Sequence, residues 1–384
     1  MILIKNGRIY TMAGEDYECG DVLIDGQKIA KVGKELSAPG AKVINADGMI
    51  VMPGIIDAHC HIGMWEDAVG FEGADGNEAT EPVTPELRAI DGINPMDRNF
   101  QEAREAGITS VVTGPGSANV IGGQFVAMKT YGHRVDDMII KEPVAVKVAF
   151  GENPKSVYND HKKMPTTRMA IAALLRQQLV EAQEYMEKLE HGKEDPDKKP
   201  ERDLGLEALV KVLKREIPLK AHAHRADDIF TAIRIAKEFN VKLTLDHCTE
   251  GHLIAEDLKK EGYPAIVGPS LSERSKVELR NLTFKTPGIL SKAGVTVALM
   301  TDHPVIPIQY LPLCAGLAVR EGMDYYEALK AITINPARII GIDDRVGSIQ
   351  EGKDADIVIF DGDPLEIKTR CVYSIINGKI VYER

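Results

Sequence analysis

The apolar stretch from Met49 to Ile56 runs directly into Asp57-Ala58-His59-Cys60-His61, and three later apolar runs also end in histidine. These are Pro218 to His224, Val241 to His247 and Gly294 to His303. In a strand, residues i and i+2 point to one face, so His59 and His61 converge, as do His222 and His224. Two convergent neutral imidazoles at the open end of a buried strand suit a divalent metal such as zinc. A lone His-x-His is equally well explained as an ordinary strand end. Four such runs in one chain are not, because a barrel of parallel strands brings all strand C-termini to one mouth.

Between these runs, strand-like and helix-like segments alternate, which points to βα units and a parallel sheet. The strand-like segments are 53–61, 109–113, 124–129, 144–150, 219–224, 242–247, 264–269 and 295–301, the number a barrel needs. Helical segments separate several of them, including Met169 to Glu190 and Leu206 to Arg215. Both ends of the chain have a different texture. Residues 1–52 are short apolar runs punctuated by Asn6-Gly7, Asp25-Gly26 and Asp47-Gly48, and Asn377-Gly378 punctuates a similar run near the C-terminus. The expected organisation is therefore a (β/α)8 barrel over residues 53–344, with a small β-sandwich domain formed by residues 1–52 and 345–384.

At 384 residues there is room for both units. A net charge of −11 argues against nucleic-acid or anionic-membrane partners. No signal-peptide pattern opens the sequence, and no apolar run reaches membrane-spanning length. Five scattered cysteines with no Cys-x-x-Cys pair read as reduced thiols, so a cytoplasmic location is expected.

Asp57-Ala58-His59-Cys60-His61, the later histidines and Thr301-Asp302 together resemble the metal-dependent amidohydrolase superfamily. Ile334-Asn335-Pro336-Ala337 and the run Gly347 to Val358 resemble that family's return into its β domain. In texture the chain is most similar to the branch containing imidazolonepropionase and certain dipeptidases. The resemblance implies one or two divalent metals, Zn²⁺ above all. It carries His59 and His61 over as ligands of the more buried ion, and His222 and His247 as ligands of a second. His224 shares a face with His222 and is an alternative ligand or a substrate contact. The resemblance makes Asp302 a metal ligand and the group that takes the proton of bound water.

A two-metal site needs an anionic bridge, and Val144 to Pro154 offers two. Alternation turns Ala145, Lys147 and Ala149 toward the barrel interior, where an unmodified, unpaired lysine is costly. That favours Lys147 as a carbamate. Glu152 lies nearer the strand end and needs no modification, so it is preferred, with Lys147 kept open.

A divalent ion lowers the pKa of water toward about 7, supplying hydroxide for attack on a carbonyl carbon. Asp302 then acts as general base and acid, with His224 or His247 at the developing oxyanion. Asn119 in the glycine-rich loop after the second strand, Arg225 and Arg274 are the expected substrate contacts. The reading is a hydrolase of a C–N bond in a small molecule, an amide, cyclic amide or amidine. Alternatives are an N-acetyl-sugar or N-acyl-amino-acid deacetylase and a deaminase. A non-catalytic scaffold predicts missing ligands and is disfavoured. A homo-oligomer is the expectation from the family and from base rates.

Overall fold

The computed structural model describes residues 1–67 and 69–384. Its centre is an eight-stranded sheet ordered β13-β12-β11-β10-β9-β8-β7-β6. The strands are β6 (Ile55–Cys60), β7 (Ile108–Thr113), β8 (Ile121–Lys129), β9 (Ile139–Ala149), β10 (Leu219–Ala223), β11 (Leu243–His247), β12 (Ala265–Val267) and β13 (Val297–Leu299). All eight overlap the strand-like segments of the sequence, with β8 and β9 beginning earlier than expected, at Ile121 and Ile139. The sheet curls until β13 faces β6. The seam is joined just past the strand ends, where Asp302 N–H donates to the His59 carbonyl (3.1 Å) and His61 N–H to the His303 carbonyl (2.9 Å). Asp57 fastens the same seam by accepting from the hydroxyl and backbone N–H of Thr301. The result is an α/β fold around a nearly closed barrel.

One expectation fails. β8 runs antiparallel to both β7 and β9, so the barrel is not uniformly parallel. The reason is chain length. Only the loop 114–120 joins β7 to β8, and a parallel crossover needs about a dozen residues or more. The same shortness leaves no helix between β7 and β8 and places the glycine-rich loop at the mouth.

The chain ends build a second eight-stranded sheet. It comprises β1 (Ile2–Ile9), β2 (Tyr17–Asp25), β3 (Lys28–Gly33), β4 (Lys42–Asn45), β5 (Ile50–Pro53), β14 (Ile357–Phe360), β15 (Cys371–Ile376) and β16 (Lys379–Glu383). β14 pairs antiparallel with β5, from Ile357 opposite Pro53 to Phe360 opposite Ile50, and so joins the two ends of the chain. Alternation splits its faces: Ile357 and Ile359 join an apolar cluster with Ile4, Val22 and Val51, while Val358 and Phe360 pack into the barrel's own core. The Asn377-Gly378 turn has φ of +49° and +70°, the left-handed conformation that this dipeptide tolerates. A side chain at Gly378 would also collide with the carbonyl of Gly26, so the two hairpin turns meet backbone to backbone. Buried Lys129 at the end of β8 binds Asp356 (2.5 Å) and Asp354 (3.1 Å), which gives the Gly352-Lys353-Asp354-Ala355-Asp356 motif a structural role. No helix among the described residues is long and apolar enough to cross a membrane.

Candidate metal and active site

The barrel mouth gathers residues from five strands. His59 and His61 stand at the end of β6, Lys147 on β9, His222 on β10 with His224 just beyond it, His247 at the end of β11, and Asp302 past β13. All are buried except Asp302, which is partly open to the mouth. Neighbouring registers align them: Lys147 lies beside Lys220, and His222 lies between Ala149 and Asp246.

Strict alternation would send His247 to the opposite face from Asp246. Both nevertheless reach the site, because His247 has φ of +70° and the strand turns at that residue. Asp302 is turned inward in the same way, with φ of +54°. Backbone conformations of this kind cost energy for residues other than glycine and cluster at functional sites.

Four of the five imidazoles are held by the ring nitrogen that faces away from the centre. His61 Nδ1 donates to the Gly114 carbonyl (2.7 Å) and His247 Nδ1 to the Gly268 carbonyl (3.0 Å). His224 Nδ1 pairs with the Thr249 hydroxyl (2.7 Å), and His59 Nδ1 donates to Asp246 (2.5 Å). Such bonds fix the ring and, where Nδ1 donates (His59, His61 and His247), leave the other nitrogen as a ligand, the usual outer support of a metal site. The inward nitrogens of His59 and His61 lie 3.6 and 3.2 Å from Asp302 Oδ1, and Lys147 Nζ is 3.1 Å from His59 Nε2.

These residues form two donor groups: His59, His61 and Asp302 in one, and His222, His224 and His247 in the other, each with its ligand atoms within 4.8 Å of one another. His222 Nδ1 and His247 Nε2 are buried without a hydrogen-bond partner. Burial pushes His59, His222 and His247 well below the ordinary histidine value and His224 down to about 3, so the imidazoles are neutral. Neutral, pre-oriented imidazoles with unsatisfied nitrogens beside a carboxylate are what a divalent ion requires. The residues fit the group. Burial works to raise Asp302, but its contact with His61 (3.2 Å) and the charge of Lys147 hold it below the usual carboxylate range. Burial lowers Lys147 to about 8, against the pull of Asp246 and Asp302.

The other sequence expectations separate here. Glu152 does not join the cluster. Gly151, at φ +83°, turns the chain out of the barrel after β9, so Glu152 heads the helix Glu152–Asp160 and accepts from the Glu278 backbone N–H (3.3 Å). It lines a neighbouring cavity with Arg168 and Arg225. Arg225 is spent on Asp227 (2.9 and 2.8 Å), and Arg274 donates to the Leu282 carbonyl. Asn119 is buried and bonded to Glu78, Thr84 and Tyr158. None of these three lines the cavity over the two donor groups.

That cavity, about 600 Å³, has His61, His222, His224 and Asp302 among its lining, with Trp65, Leu271 and Leu279 as apolar walls and Ser117, Asn153 and Lys276 as polar ones. Sequence reasoning missed three further residues. Asp246 and Lys220 form a buried ion pair (2.8 Å) beneath the site, and the rule that makes an inward lysine costly applied to Lys220 as well as to Lys147. Glu278, fully buried, accepts from Glu152 N–H with one oxygen, while the other has no partner and lies 3.8 and 3.9 Å from His224 and His222 Nε2. It stands in an irregular loop after β12, where no periodicity announces it.

The profile of the "Amidohydrolase family" matches residues 201–382. The crystal structure of an amidohydrolase from Thermotoga maritima MSB8 is 43% identical, with a TM-score of 0.97 over 100% of both chains. Amidohydrolase tasK of Hapsidospora irregularis is 30% identical over 95% of this chain, and the chain spans 40% of that relative's length. An imidazolonepropionase of Thermoplasma volcanium is 26% identical over 100% of this chain and 98% of its own length. With these likenesses resting on a barrel whose mouth carries two histidine-rich donor groups, the chain belongs to the amidohydrolase family, hydrolytic enzymes acting on C–N bonds.

Proposed function

We propose that this chain is a two-metal hydrolase of the C–N bond of a small amide or cyclic amide, with Lys147 as the anionic bridge and Asp302 as the proton-transfer group. The observation that carries the reading is the position of Lys147. It is wholly buried, touches His59, feels Asp302, and has an ammonium that burial lowers to about 8. An amine so easily neutralised reacts with carbon dioxide to give a carbamate and a proton, replacing a costly buried cation with an anionic ligand. Glu152, the other bridge candidate, sits outside the mouth. His59, His61 and Asp302 would hold one ion, and His222 and His247 the other. We read residues 1–52 and 345–384 as a separate small β-sandwich domain packed on a barrel of residues 53–344.

Divalent ions such as zinc, when bound, polarise a carbonyl and lower the pKa of water. The protein's share is positioning and proton transfer. Asp302, lining the cavity and kept ionised by His61, accepts the proton of the attacking water and returns it to the leaving nitrogen. His224, also on the cavity wall, donates to the oxyanion, whereas His247 lies deeper and serves as ligand. The likeness to an imidazolonepropionase supports a small cyclic substrate.

Metal content per chain, measured on protein purified without chelator, tests the reading. About two equivalents are expected, falling to one or fewer in Lys147→Ala and staying at two in Glu152→Gln. An unchanged count in Lys147→Ala would remove the bridge.

A further inference from the structure

We propose that Lys276 forms an anion subsite and that the substrate carries a carboxylate on the side away from the scissile bond; this rests on the hydrolase reading above. Lys276 is the one lysine or arginine among the residues lining the cavity over the metal site. Among the described residues no carboxylate pairs with it, although Glu273 lines the same loop. Its ammonium is nonetheless placed. Nζ donates to Asn153 Oδ1 (2.6 Å), while Asn153 Nδ2 donates to Ser117 Oγ (2.8 Å) and lies 3.4 Å from His222 Nε2. A chain of three polar contacts thus fixes a positive charge beside the metal imidazoles.

An ammonium has three N–H donors, and Asn153 takes one, so two remain for a ligand. Lys276 is solvent-exposed at the rim of a cavity of mixed lining, in which Trp65, Leu271, Leu279 and Val305 form walls suited to the body of a small molecule. One cation beside one hydroxyl and one amide matches a singly charged, planar carboxylate. A phosphate dianion calls for more donors than this wall presents. Arg225 and Arg274, the cations expected from sequence for this task, are engaged elsewhere.

The test uses the metal-loaded full chain and a panel of matched pairs: N-acetylglycine, N-acetylproline and hydantoin-5-acetate, each against its neutral carboxamide. Binding is measured by calorimetry and turnover is measured separately. At least one acid should bind about tenfold or more tighter than its carboxamide, the worth of a charge-assisted hydrogen bond. Lys276→Met should bring the acid down to its partner's affinity, mainly through KM. Lys276→Arg should restore most of the preference, and Lys285→Met, an exposed control outside the cavity, should leave it intact. Equal affinity of acids and carboxamides in the wild type overturns the proposal, as does a preference that survives Lys276→Met. Binding preference without turnover of any compound would instead refute the hydrolase reading and leave the subsite standing.

Discussion

Replacing Asp246 by asparagine isolates the electrostatic design of the barrel floor. Asp246 is fully buried and accepts from His59 Nδ1 (2.5 Å), Lys220 Nζ (2.8 Å) and Thr244 Oγ1 (2.7 Å). Asparagine preserves its shape and one acceptor, so His59 keeps a hydrogen bond. What is lost is the negative charge opposite Lys220, which is also fully buried and otherwise bonded to the Ala58 carbonyl (3.0 Å). A buried ion left without its partner costs about 3–5 kcal/mol. The ceiling is set by neutralising the lysine, about 5 kcal/mol at pH 7 for an ordinary value near 10.4. Burial already lowers Lys220, and Asp246 is the group that holds it up. With an m-value of about 3 kcal/mol/M, Asp246→Asn should move the urea midpoint of the metal-free protein down by about 1 M or more. The double variant Asp246→Asn with Lys220→Met should recover at least half of that loss, since neither charge remains. A single variant within about 0.3 M of wild type, or a double variant no better than the single, would refute the electrostatic account.

Two other outcomes follow from the same geometry. Glu278→Gln should weaken retention of the second ion in chelator competition by about tenfold or more, because the carboxylate facing His222 and His224 loses its charge while its contact with Glu152 N–H survives; unchanged metal affinity would make Glu278 a purely structural acceptor. The metal-free protein should lose stability on acidification. His224 and His303 are held by burial to about 3 and about 4, below the ordinary 6.5, so between those values the unfolded chain binds more protons than the folded one. Stability is then full above pH 6.5 and falls as pH drops toward 4, with His224→Asn flattening the fall; a flat profile between pH 6.5 and 4 would contradict this.

The barrel strands, the joining of the two chain ends and most residues of the two donor groups were legible in the sequence. These features are written in local chemistry: apolar runs, Asn-Gly and Asp-Gly turns, and histidines at i and i+2 after a buried strand. Even the inward orientation of Lys147 followed from alternation alone. The tertiary structure decided the rest. The loop between β7 and β8 made β8 antiparallel. Left-handed backbone at His247 brought it to the same centre as its neighbour Asp246, against the period-2 rule. Gly151 carried Glu152 out of the mouth, leaving Lys147 as the inward group. Arg225 and Arg274 were claimed by partners two and eight residues away, while the segment after β12 brought Lys276 to the cavity and Glu278 beside His222 and His224. Periodicity tells which face a residue takes within an element. Which charges meet across elements depends on where loops end and which partner is nearer, and only the closed barrel settles those distances.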